Sequence, residues 1–217
     1  KFGKNANGQD MWWRIIRING DGSLRIEYDG TQAHANGELN NDRLTFVNIP
    51  WNTLINDVKY VGYMFGGAQG EASLSREDAI KNETDSDIKT AIDNWYVENI
   101  VNTGYEKYIS DEIFCNDRTI PGKEKTNWES DTSLGFGTNP TAFGGTERLG
   151  VWNDGIAKNV SFSCKDKNDA FTILESEKGN GNLTYPVGLI TVDEAVAAGS
   201  DKYLNNENTS YYLYKNE

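Results

Sequence analysis

The sequence predicts an α+β domain: an antiparallel sheet, two or three short helices and long irregular loops. Three observations carry this. Strand-like runs lie towards both ends of the chain, helical spacing lies in the middle, and no strand-helix-strand alternation of the kind that builds a parallel sheet is present. Many Gly-, Asn- and Asp-rich stretches separate these runs.

The first element is a hairpin over Trp12–Thr31, WWRIIRINGDGSLRIEYDGT. Leu24, Ile26 and Tyr28 alternate with Arg25, Glu27 and Asp29, the period of a half-buried strand. Asn19-Gly20-Asp21-Gly22 supplies the positive φ angles of a tight reversal. Residues 32–48 are polar and read as a long surface loop. Tyr60–Phe65 (YVGYMF) reads as a buried strand closed by Gly66-Gly67, and residues 70–81 as a polar excursion.

The clearest helix follows. Thr84 with Asp87 forms a capping-box pattern, and Ile88, Ile92, Trp95, Tyr96 and Ile100 recur at helical spacing until Gly104. Tyr105–Phe114 reads as a shorter helix or turn. Residues 119–150 hold Pro121, Pro140 and many Gly, Thr and Asn, and read as a long irregular segment. Ala170–Ile173 and Tyr185–Ile190 are strand-like. Thr191 and Glu194 form a second capping box, leading Val192, Ala195 and Val196 into a short helix ending at Gly199. Ser210–Tyr214 reads as a final strand.

Bulk numbers fit one domain over residues 1–217. Hydrophobic residues are only 37%, but six Trp, eleven Tyr and eight Phe can fill a core, because each ring buries a large area. A formal charge of −12 opposes nucleic acid, whose phosphates demand cations, and an anionic membrane surface. No apolar run approaches the ~18 residues of a membrane span, so direct membrane insertion of this segment is not expected. Neither a signal peptide nor an initiating Met is present, and an anchor or export signal is expected outside this segment.

Cys115 and Cys164 are the two cysteines. They allow one bridge or two buried thiols, and their spacing suits no zinc pattern. The Asn-rich composition favours an oxidising, extracellular setting.

Catalytic signatures are sparse. The single histidine, His34, lies in a polar loop and reads as solvent-exposed. No nucleophile elbow accompanies it, and no nucleotide-binding glycine loop occurs. With 33 Asp and Glu, a glycosidase carboxylate pair cannot be picked out by sequence. No cofactor is expected. Asn19–Gly22, Asp85–Asp87, Trp152–Gly155 and Asp166–Asp169 are candidate loops for a structural calcium, and each also reads as an ordinary turn. Trp128 and Trp152 are candidate sugar-stacking platforms, with Asn153 and Asp154 as hydroxyl-bonding partners.

Taken in order, the blocks WWRIIRINGDGSLRIEYDGT, YVGYMF, SDIKTAIDNWY, YEKYISDEIFCNDRTI, KNDAFT, GNGNLTYPVGLITVDEA and TSYYLY span nearly the whole chain. Together they resemble bacterial cell-surface domains of the DUF6273 kind, from gut Firmicutes, which belong with C-type-lectin-like and sulfatase-modifying-factor-like folds. The resemblance implies export, anchoring by a further N-terminal segment, and a further C-terminal segment completing a lectin-like core. It also implies a Cys115–Cys164 disulfide. Trp152-Asn153-Asp154 is similar to the Trp-Asn-Asp element of lectins, whereas the Glu-Pro-Asn or Gln-Pro-Asp motif of calcium-dependent sugar binders is absent.

The function expected is that of a non-catalytic, extracellular module on the bacterial surface, binding a glycan or a host or cell-surface protein. A structural subunit of a surface appendage and a carbohydrate-active hydrolase are the alternatives. Oligomeric state is not legible.

Overall fold

The computed structural model describes residues 1–38, 40–46, 48–119, 135–138 and 160–198. It is mixed α+β, as expected, but its strands do not join into one sheet. Among the described residues they form three separate antiparallel ribbons of two strands each.

The longest ribbon is the expected hairpin: β1 (Trp13–Ile18) and β2 (Leu24–Tyr28). Its reversal is closed by the Asn19 amide donating to the Ser23 carbonyl at 2.9 Å and by Gly22 at φ +88°. A bulge between Ile15 and Arg17 shifts the register, so that Arg17 faces Arg25 and Ile18 faces Leu24. The strand period therefore does not translate directly into burial. Leu24 at the tip is 51% exposed and Arg25 is buried.

β3 (Met64–Phe65) pairs with β4 (Thr84–Asp85), and β5 (Phe114–Cys115) with β6 (Ala170–Phe171). The strand expected over residues 60–65 is thus only its last two residues, preceded by a 3-10 turn over Val58–Tyr60. The cause is Asn116. Its side chain accepts from the Tyr63 amide and donates to the Val61 carbonyl, both at 2.7 Å, and so occupies groups a neighbouring strand would have used. Likewise residues 185–190 form no strand. The Leu189 amide donates to the Tyr63 hydroxyl instead. Tyr105–Phe114 resolves into a 3-10 turn (Glu106–Tyr108) followed by β5.

Helix α1 (Arg76–Ala79) is a single turn capped by Ser75. Helix α2 (Asp87–Tyr96) continues into a π turn (Val97–Val101), and Gly104 at φ +77° follows it. Its cap is Ser86, whose side chain accepts from the Lys89 amide, not the expected Thr84. Thr84 sits in β4 and donates to the Gly67 carbonyl. Helix α3 (Val192–Ala197) carries the expected Thr191–Glu194 capping box in full. The final strand expected at Ser210–Tyr214, and Gly199, lie outside the described residues.

Two apolar clusters result. In the first, Met11, Tyr96 and Ile100 are gathered with Trp13, Tyr28 and Trp95 between the hairpin and α2. In the second, Tyr63, Phe171 and Leu183 are packed with Trp51, Phe114 and Leu189. A buried ion pair ties the second cluster together: Arg118 Nε donates to Asp169 at 2.6 Å, and Arg118 also donates to the Met64 and Asn168 carbonyls. Beside it Cys115 and Cys164 are bridged, with their Cα atoms 5.3 Å apart. No helix among the described residues is long and apolar enough to cross a membrane.

Candidate functional site

The inner face of the hairpin, the apolar face of α2 and the segment around Pro186–Ile190 close on one another only in part. They leave a cleft of about 710 Å³. The α2 spacing explains its floor, because Ile92, Trp95, Tyr96 and Ile100 fall on one helical face and all line it. Trp13 and Tyr28, paired across β1 and β2, form one wall, with Tyr28 and Trp95 packed edge-on at 5.2 Å. Tyr108, 65% exposed, stands at the rim.

One end of the cleft is charged. Arg25 and Glu194 line it, and Arg25 is directly opposed across the hairpin to Arg17, just outside the lining, an arrangement that repels unless an anion intervenes. Glu194 intervenes. Its Oε1 lies 3.1 Å from both guanidiniums, and its Oε2 accepts from the Thr191 amide at 2.9 Å. The capping-box glutamate therefore also binds the hairpin to α3. Arg25 stacks on Phe114 at 3.7 Å and Arg17 on Phe162 at 4.9 Å. Burial pulls the Arg25 pKa down, and Glu194 pulls it back up. Burial also pushes the Tyr63 hydroxyl up to about 12. Gly188 is needed here: a Cβ on it would run into the Phe114 ring and come within 3.0 Å of the Tyr63 hydroxyl.

Arg43, Thr45 and Phe46, from the segment expected to be a surface loop, also line the cleft. That segment is instead pinned by a buried ionic network. Arg43, which lines the cleft, donates to Asp29 at 2.8 Å, and Arg14 donates to the other Asp29 oxygen at 2.7 Å and to the His34 carbonyl. His34 is not exposed. Its side chain is wholly covered, with Nδ1 2.8 Å from Glu38 and Nε2 2.8 Å from Asp42. The Glu38 contact raises its pKa, burial opposes this, and Asp42 adds to the rise. Asp42 is pushed up by burial but held low on balance by the Thr31 amide, His34 and the Thr31 hydroxyl. A carboxylate on each ring nitrogen makes this imidazole a clamp, not a general base.

The carboxyls whose pKa values are raised by burial, Asp93 and Asp169, lie outside the cleft lining and are locked to Lys89 and Arg118. Three of the four candidate calcium loops use their oxygens internally. Asp21 accepts from the Ser23 amide, Asp85 pairs with Lys89, and Asp166 accepts from the Asn168 amide. Among the described residues no group of three or more His, Cys, Asp or Glu is placed to hold a metal.

The expected ligand residues Trp128, Trp152, Asn153 and Asp154, and with them the fourth calcium loop, lie outside the described residues. In the sequence the residues that build the cleft read as one apolar helix face (Trp95, Tyr96), as the polar half of the hairpin alternation (Arg25) or as part of a capping box (Glu194). The one available signal was Arg25 alternating with apolar neighbours in the hairpin, and it takes Glu194, 169 residues away, to give it meaning.

No family model, curated protein or solved structure matches this chain.

Proposed function

We propose that this chain is an extracellular module of the bacterial surface that binds a glycan in the cleft between the hairpin and α2, without catalysis. It does so on a lectin-like scaffold of the DUF6273 kind. The observation that carries this reading is the cleft itself: about 710 Å³ walled by Trp13, Tyr28 and Trp95, with a charged end. Sugars present apolar faces to aromatic rings and hydroxyls to polar groups, and this lining offers both. The disulfide and the acidic charge fit a life outside the reducing cytoplasm.

The test is a glycan panel, followed by titration monitored through tryptophan fluorescence. Binding is expected to weaken about tenfold on Tyr108→Ala, which removes a rim ring outside both apolar cores. A panel without a hit overturns the reading.

One observation favours a structural subunit as the second reading. Ile15, Ile18 and Leu24 are 63%, 71% and 51% exposed and cluster on the hairpin. Sedimentation over a hundredfold concentration range separates the two, since a subunit self-associates and a monomeric binder does not.

A further inference from the structure

We propose that the charged end of the cleft receives a carboxylate, so that its ligand is an acidic sugar. This rests on the cleft being the glycan site and adds the chemical class of the glycan.

The argument begins with an imbalance. Two guanidiniums, Arg17 and Arg25, share one carboxylate. Glu194 has no oxygen left over, because Oε1 serves both arginines and Oε2 serves the Thr191 amide. Among the described residues one positive charge is left unbalanced here, in a chain whose net charge is −12.

Arg25 holds that charge in a particular geometry. Its side chain is only 10% exposed, and one face of its guanidinium is covered by the Phe114 ring. Of its five N–H donors, Nε–H alone has a hydrogen-bond partner among the described residues. Among the described residues, the terminal nitrogens are therefore the donors without a partner on a largely buried side chain that lines the cleft. Desolvated donors gain most from a partner, and a planar guanidinium fork matches a carboxylate with two parallel hydrogen bonds. A neutral sugar offers hydroxyls there, which pair less strongly and leave the charge unbalanced.

Glu27 and Glu112 also line the cleft, but among the described residues the only hydrogen bond or ion pair of Arg25 is the one to Glu194. The Arg25 guanidinium carbon sits 3.7 Å from the centre of the Phe114 ring, and the close approach of Gly188 backs that ring, which favours a fork positioned before a ligand arrives.

The experiment uses the full chain and two probes differing in one group, galacturonic acid and galactose, titrated by calorimetry. N-acetylneuraminic acid serves as a second carboxylate. The acids are expected to bind at least about tenfold more tightly than galactose, the worth of one charge-assisted hydrogen bond. Arg25→Lys keeps the charge but removes the fork, and is expected to bring the acids within about twofold of galactose. Arg25→Gln is expected to do the same, and Arg25→Lys decides if the Gln variant does not fold. Equal binding of acid and neutral sugar by the native chain overturns this inference and leaves the cleft reading standing. An acid preference that survives Arg25→Lys also overturns it, by placing the carboxylate elsewhere. Absence of binding to every sugar overturns both.

Discussion

Replacing both Cys115 and Cys164 by Ser isolates the contribution of the bridge without leaving a reactive thiol. The cysteines are 49 positions apart. Closing a loop of that length removes about 14 cal/mol/K of entropy from the unfolded chain, or about 4 kcal/mol at 25 °C. Unfolding entropy near 60 °C is about 2.1 cal/mol/K per residue, so 217 residues give about 0.45 kcal/mol/K, and 4 kcal/mol corresponds to a fall in Tm of about 9 °C. The half-buried sulfurs add little packing loss on replacement by Ser. The measurement is thermal unfolding by circular dichroism of the native chain, the chain with reductant, and the double variant. The last two should melt together, about 9 °C below the first. Melting points within about 2 °C of the native, oxidised chain would refute the argument, because they would mean that the bridge barely restricts the unfolded ensemble.

Three further outcomes follow from local geometry. His34 has a raised pKa in the folded state, so its stabilisation is complete below its unfolded value of 6.5 and is lost as pH rises through the higher folded value; Tm should decline over that window, His34→Ala should abolish the decline, and an unchanged slope in the variant would count against the clamp. Gly188→Ala drives a methyl into the Phe114 ring, whose Cγ would lie 2.8 Å away, and should destabilise by about 1–3 kcal/mol in urea unfolding; an unaltered midpoint would show that the ring has room to move. Ser86→Ala should cost about 1 kcal/mol through loss of the α2 cap, measurable by the same unfolding, and an equal or larger loss on Thr84→Val would return the cap to Thr84.

The elements legible in the sequence are those set by near neighbours. The Asn-Gly-Asp-Gly reversal, the α2 face and the Thr191–Glu194 box are each decided within about four residues, and all three formed. What was not legible depends on partners far along the chain. Tyr60–Phe65 has strand composition, yet Asn116, 53 positions from Tyr63, takes up its backbone groups. His34 differs in distance, since Glu38 and Asp42 are only four and eight residues on, but it looks solvated until the loop folds them round the ring with Arg14 and Arg43 holding it. Arg25 looks like an outward-facing strand charge until α3 delivers Glu194. Buried polar groups obey satisfaction, not periodicity, and satisfaction cannot be read from a local window.

The Asn116 carboxamide behaves as a detached peptide unit, offering one donor and one acceptor where a third strand would have run. A scaffold built this way depends on a handful of amides and guanidiniums as much as on its apolar clusters. Losing Asn116, Arg118 or Asp169 would strand buried backbone or charged groups without a partner, a cost that no gain in apolar packing nearby repairs.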